Sequence, residues 1–517
     1  MVFLQLPFIR WRKIEVLTLS PFQKFLANVG WTVLGKTGVQ IIMFAVSIIL
    51  TRYLGKENLG DYATILVIPV FIRLLNSFGL ETLINKILPE LNVKDPSESQ
   101  GHFLVSRIIV LRFLTTIGFC ILIYLFLPNY LNFIHNTQLI EFRWTLIFYF
   151  AVISIDSILS VLYMAQLRFK ALAITEVCGA LTNLVLLVLF IRLDYGIYAV
   201  LFAYIISATL TSSVYLILSK IEYPDSTHKP EWNNMGHLAW VAYGIGLFGF
   251  GVMTQSDVLL MNYFKINRGD VGLYHLATAL GATLPFLLAG IAPMALSLFS
   301  ETYAKDGAKG LSNLYCKIMG FASYLTIPIY VFCAINSVYV IEFIYGIDFS
   351  EGRTALTIYA IFAGIQTALG VNFSVSALFV VNQRDIALRS TVEGSILNIA
   401  LNLFMIPLFG MLGAITATGI TMVYMVSRQL KVLSSEIEIK SGFSIVGQCF
   451  LFCLLASIPL PILSIFGWGH LITNFLIYLT TFFLLLVVLK PFNNEQRQLL
   501  TNMYPVLSNK TKWFFRT

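Results

Sequence analysis

About fourteen stretches of roughly 20 apolar residues follow one another along this 517-residue chain, and that pattern leaves few folds open. A bilayer offers no water to unpaired amide groups, so segments of this length cross it as α-helices whose backbone bonds are made internally. Approximate limits are 29–50, 61–83, 104–126, 144–165, 172–191 and 196–218, then 238–262, 272–299, 315–338, 355–381, 388–408 and 412–430, with a last pair near 443–466 and 470–489. Charged residues make up 12% of the chain, against about 25% in soluble domains. The expected class is an all-α polytopic membrane protein.

Lysine and arginine are distributed unevenly between the connecting loops. With the N-terminus inside, cytoplasmic segments carry about 24 of the 34 basic residues and the opposite loops about 7. An even number of spans with both termini cytoplasmic follows, and the net charge of +8 reads as topology. No basic stripe or aromatic-interleaved module points to nucleic acid. Residues 1–27 place Arg10-Trp11-Arg12-Lys13 after a short apolar start and show no small-residue cleavage site, so they read as a cytoplasmic interfacial segment and not a cleaved signal.

The chain also echoes itself. Phe169-Lys170-Ala171-Leu172, Gly179…Asn183 and Tyr195-Gly196 recur about 215 residues later as Arg384…Leu388, Gly394…Asn398 and Phe409-Gly410. Tyr53…Gly60-Asp61-Tyr62 is echoed by Tyr263…Gly272-Leu273-Tyr274, with Pro69 and Pro285 following in the respective copies. Six spans per copy is an even number, so the copies are parallel repeats about an axis along the membrane normal. The expected division is a first lobe at 28–220, a linker at 221–236, a second lobe at 237–434, two further helices at 435–490 and a cytoplasmic tail at 491–517. Cargo sites in such proteins lie between repeats.

Three cations stand inside the first three spans: Lys36, Arg73 and Arg112. Each costs about 2.5–3.5 kcal/mol at the bilayer centre on the lenient scale, so three facing lipid cost roughly 8–10 kcal/mol. They are expected to face a polar cavity, which implies an anionic cargo. Arg73 is too central to reach the interface, and Asn76 and Ser77 extend a polar stripe from it. Lys36 has snorkelling as its alternative, and Arg112 has a structural pairing, for instance with Asp156. Asp156 and Asp257 are the intramembrane acids, candidates for ion coupling or gating with a lobe-locking salt bridge as the alternative. Glu81, Glu176 and Glu393 lie near span ends and read as interfacial or loop-paired.

Other chemistries find little support. Cys120, Cys178, Cys316, Cys333, Cys449 and Cys453 sit in or beside apolar stretches and read as small hydrophobes, without a disulfide or metal framework. Gly244-Ile-Gly246-Leu-Phe-Gly249 matches a dinucleotide fingerprint but lies inside an apolar span, where it serves packing or bending. No metal, cofactor or nucleotide domain is expected, so the energy comes from an ion gradient, the membrane potential or the cargo gradient. A polysaccharide polymerase or acyltransferase would need a sizeable loop outside the membrane, and no loop exceeds about 20 residues.

Arg52-Tyr-Leu-Gly55-Lys-Glu-Asn-Leu-Gly60-Asp-Tyr62, with Asp257-Val-Leu-Leu260 and Val271-Gly272-Leu273-Tyr274, resembles the signature elements of polysaccharide transporters. These belong to the multidrug/oligosaccharidyl-lipid/polysaccharide exporter superfamily. The resemblance covers roughly 28–434, and the last two spans match its fourteen-helix members. It implies a V-shaped fold of two six-helix lobes that rock to give alternating access. It also implies a flippase for undecaprenyl-pyrophosphate-linked oligosaccharides in the plasma (inner) membrane, serving O-antigen, capsule or exopolysaccharide synthesis. Membrane lipids, a counter-ion (H+ or Na+), a polymerase and a chain-length regulator are the implied partners. A drug/cation antiporter and a peptidoglycan-precursor flippase are the alternatives within the fold. A guanidinium suits a pyrophosphate because its planar fork makes two parallel charge-assisted hydrogen bonds.

Overall fold

The computed structural model describes residues 21–94, 99–134, 136–166, 168–219, 233–252, 254–284, 292–460 and 471–489. Among these residues the regular elements are helices. In chain order they are α1 (Pro21–Leu75), α2 (Leu80–Lys94), α3 (Ser99–Phe133), α4 (Arg143–Ala165), α5 (Phe169–Arg192), α6 (Ile197–Ser219), α7 (Asn233–Phe250) and α8 (Thr254–Tyr263). Then follow α9 (Arg268–Thr283), α10 (Ala292–Ile335), α11 (Ser337–Ile344), α12 (Arg353–Ala368), α13 (Val371–Val380), α14 (Arg384–Glu436), α15 (Lys440–Ser457) and α16 (Leu471–Leu489). Ten described helical segments are long and apolar enough to cross a membrane. The protein is an all-α polytopic membrane protein. The expected segments 1–27 and 491–517 and the linker 221–236 fall wholly or mostly outside the described residues.

Glycine sets where the long helices break. α1 divides at Gly55 (φ 70°), α10 at Gly307 (φ 64°) and α14 at Gly410 (φ 57°), all in the left-handed region that other residues rarely adopt. The stretch 61–83 breaks in the opposite sense to expectation. Helix α1 ends at Leu75, and Phe78 (φ 45°) and Gly79 (φ 71°) turn the chain before α2 starts. The Asn76 N–H still closes an α-helical bond to the Ile72 carbonyl at 2.9 Å, so helical spacing from Arg73 runs as far as Asn76.

Helices α2 to α6 pack chiefly within the first half, α1–α6, and α10 to α14 within the second, α7–α14, while α1 and α9 pack most heavily on each other across the two; α15 packs on α10 and α16 on α15. The halves share local geometry where the sequence echoes. Gly196 and Gly410 have φ of 58° and 57°. Asn183 donates to Ser207 at 3.4 Å, and Asn398 to Thr418 at 2.9 Å. A six-residue 3-10 turn, Thr137–Phe142 or Ile347–Gly352, leads into α4 in one half and α12 in the other, each helix opening on an arginine.

The halves meet where the second arm of α1 crosses α9. A Cβ on Gly60 would lie 1.9 Å from the Arg268 carbonyl oxygen, and one on Gly272 would lie 2.1 Å from that of Lys56. The crossing is reciprocal, each glycine admitting the backbone of the other half.

Candidate functional site

Arg73 lies on the last turns of α1 and is half-buried. Its electrostatic neighbours are Asp156, Tyr149 and Tyr204. The two tyrosine rings pack 5.0 Å apart. Among the described residues neither Arg73 nor Lys36 belongs to an ion pair.

Asp156 opens into a cavity of about 340 Å³ within the first half, lined also by Glu176, Asn183, Tyr204, Ser207 and Thr211. It accepts hydrogen bonds from Thr211 (3.1 Å) and Ser212 (2.8 Å) of α6. Glu176 of α5 is half-buried on the wall of this cavity, where α1 crosses α5 closely. A Cβ on Gly35 would come within 2.5 Å of the Ala173 Cβ. Lys36 and Asp156 are the electrostatic neighbours of Glu176, and Lys36 itself is exposed on α1. The structure thus brings Lys36, Arg73, Asp156 and Glu176 to one side of the first half.

Arg112 stands apart from that group. It is 1% exposed and donates to the Glu81 carboxylate at the start of α2 and to the Asn76 carbonyl. Asn76 is fully buried and donates to Thr116 of α3 at 3.0 Å. The suggested pairing of Arg112 with Asp156 is corrected: the partner is Glu81, because the turn at Phe78–Gly79 carries α2 back against α3. Of the other acids, Glu393 pairs with Arg428 at 3.3 Å.

Asp257, in the first turn of α8, has no exposed surface. It accepts from Tyr274 of α9 (2.5 Å), Thr418 (2.5 Å) and Asn402 (2.8 Å), the last two from separate arms of α14. Asn398 ties Asn402 (2.7 Å) to Thr418 (2.9 Å). The Asn402 Oδ1 and Thr421 Oγ1 oxygens, both buried, have no hydrogen-bond partner among the described residues. Two hydroxyl donors and one amide N–H thus satisfy the buried carboxylate.

The family model described as polysaccharide biosynthesis protein matches residues 49–352, more than half the chain. The chain belongs to that family. A probable low-salt glycan biosynthesis flippase, Agl15 of Haloferax volcanii, is 24% identical over 293 residues, 56% of this chain and 60% of that protein. The aligned part thus spans less than two thirds of that relative. An uncharacterized membrane protein of Methanocaldococcus jannaschii is 21% identical over 77% of this chain and 81% of its own. Among solved structures, the lipid II flippase MurJ in an inward closed conformation is similar with a TM-score of 0.68 at 15% identity, over 94% of this chain and 99% of that one. An inward-facing multidrug resistance MATE family transporter has a TM-score of 0.63 at 14% identity, over 80% of this chain and 96% of its own. The fold is MATE-like.

The polar residues that carry no local sequence signal lie mainly between the halves. Tyr62 meets His275 edge-on at 5.9 Å, above a cavity of about 210 Å³ lined by Ala63, Val67, Gln255, His275 and Thr278. His275 carries no local signal, since its partner is 213 residues distant. Asp61 was visible in the signature segment but not its partner, Arg268. Asp270, at the mouth of α9, has its carboxyl pushed above the usual carboxylate range by burial, then by Glu351, with Lys56 opposing. Gly244, Gly246 and Gly249 lie within α7, where Gly246 lets Leu74 of α1 approach.

Proposed function

We propose that the protein is a flippase that moves undecaprenyl-pyrophosphate-linked oligosaccharide repeat units across the plasma membrane by alternating access, for surface polysaccharide synthesis. Arg73 carries this reading: a guanidinium in the last turn of α1, outside any ion pair among the described residues, with Asp156 and the packed rings of Tyr149 and Tyr204 as its neighbours. Its fork holds the pyrophosphate, Lys36 adds the second charge, and the polyprenyl chain stays in the bilayer. Arg112 supports Arg73 from behind by fixing the turn after α1. Asp257 is the coupling site for H+ or Na+, and Asp156 balances the cavity charge.

The architecture that goes with this activity has fourteen spans: lobes at 28–220 and 237–434, and a final pair at 435–490, with both termini cytoplasmic. The likeness to MurJ supports the extra pair, since it extends over 94% of the chain against 80% for the MATE transporter. A polymerase and a chain-length regulator would take the product.

Deletion in the host, followed by leaflet-resolved detection of lipid-linked glycan, tests the reading. The expected result is glycan retained on the cytoplasmic leaflet with surface polysaccharide lost, restored by the wild-type gene but not by Arg73→Ala. Intact surface polysaccharide with increased drug sensitivity would replace it with the antiporter reading.

A further inference from the structure

The signature segment Arg52–Tyr62 takes no part in the cargo cavity, yet it makes a dense set of polar contacts between the two halves. Arg268 Nη1 donates to Asp61 at 2.9 Å and to Gln138 at 3.2 Å. Asp61, with a side chain 7% exposed, also accepts from Asn136 at 3.0 Å. Lys56 pairs with Glu351 at 3.1 Å. Arg52 donates from Nε and Nη2 to the carbonyls of Ile344 and Phe343, 2.8 Å each, at the C-terminal end of α11, where unpaired carbonyls attract a cation.

These contacts are reciprocal. Lys56 of the first half reaches the 3-10 turn Ile347–Gly352 of the second, and Arg268 of the second reaches the turn Thr137–Phe142 of the first. They surround the Gly60–Gly272 crossing. Beneath them Asn262 donates to Thr64 at 3.0 Å, both buried, and then come the Tyr62–His275 ring contact and the interlobe cavity.

We infer that the Arg52–Tyr62 segment, with Asp61–Arg268 as its central pair, is a latch that closes one end of the interlobe cavity and releases when that end opens. The chemistry suits reversal. Apolar seams resist exposure to water, whereas carboxylates, guanidiniums and carbonyls exchange protein partners for water at modest net loss. The nearly buried Asp61 favours closure, since leaving its carboxylate unpaired in the seam is costly until water reaches it. The reciprocal arrangement releases both contacts together when the halves rotate apart. The inference rests on the alternating-access reading, with the latch end facing outward.

Accessibility of the cavity tests it without any cargo. In a variant with its six native cysteines replaced, Ala279→Cys places a thiol on the cavity wall. A membrane-impermeant thiol reagent is applied to intact cells and, separately, to inside-out vesicles. Asp61→Asn should raise the labelling rate from outside at least 3-fold, and the exchange Asp61→Arg with Arg268→Asp should bring it back towards the parent. Unchanged labelling from both faces in Asp61→Asn would overturn the latch. Lys56→Cys with Glu351→Cys, both with solvent-accessible side chains, gives a second reading in the same background. A short thiol cross-linker should hold cavity labelling at its closed level, and a reducible linker should restore it on reduction; labelling indifferent to cross-linking overturns the latch as well. Because glycan movement is not the readout, a failed polysaccharide reading would leave these results interpretable.

Discussion

Arg112 of α3 donates to the Glu81 carboxylate of α2 in the interior of the first half, and the same guanidinium holds the Asn76 carbonyl of the turn between α1 and α2. One cation thereby secures three elements just behind the arm that carries Arg73. Arg112 and Arg73 are also electrostatic neighbours, so the Glu81 charge keeps two adjacent guanidiniums compatible.

Breaking that pair should cost stability. Arg112→Ala leaves the Glu81 carboxylate without its partner and is expected to destabilise by about 3–5 kcal/mol, whereas Arg112→Met with Glu81→Leu should lose much less. Thermal unfolding of the purified protein in detergent measures both. Equal losses for the single and double variants would refute the pairing as the cause.

Arg73→Ala should leave abundance and melting temperature near wild type and abolish surface polysaccharide. Losing two charge-assisted hydrogen bonds to pyrophosphate costs about 3–6 kcal/mol, at least a 100-fold loss of headgroup affinity. Arg73→Lys keeps the charge without the fork and should fall between. Binding of a short-chain polyprenyl pyrophosphate to purified protein gives the comparison.

Asp257→Asn keeps the shape of the buried cluster and removes its charge. Transport that depends on sodium or on pH in the wild type should lose that dependence in the variant. Flux measured across a sodium series and a pH series decides it. An unaltered dependence would return Asp257 to a packing role joining α8, α9 and α14.

Gly60→Ala should disrupt the α1–α9 crossing, since the new methyl would meet backbone and not a yielding side chain. Overpacking of this kind costs about 1–3 kcal/mol or more. Gly272→Ala should behave alike because the contact is reciprocal. Both should show lower melting temperatures, and Gly244→Ala, which meets open space, should not.

Much of the fold was legible in the chain because helices and spans are local properties. An apolar run of span length has one way to satisfy its backbone in lipid, and the echo of Tyr195-Gly196 in Phe409-Gly410 marks two turns that share a left-handed glycine. Arg73 could be singled out because it stands inside an apolar run, but its place in the last turn of α1, which the turn at Phe78–Gly79 follows, could not.

Partnerships between helices were not legible. Periodicity says which face a residue occupies and nothing about which helix comes to meet it. Glu81 reaches Arg112 across 31 positions, and Asp257 finds Asn402 and Thr418 across 145 and 161. Asp61 and Arg268 lie 207 apart.

The sequence by itself determined the class, the positions of the apolar helices and the presence of mid-span charges, since each follows from the transfer of short segments out of water. The tertiary structure alone decided what those charges do. Packing sealed Arg112 against Glu81, left Arg73 and Lys36 outside any ion pair among the described residues, and enclosed Asp257 among three hydrogen-bond donors. A charge in a low-dielectric interior takes its role from whatever lies within a few ångströms, and only the packing of distant helices supplies those neighbours.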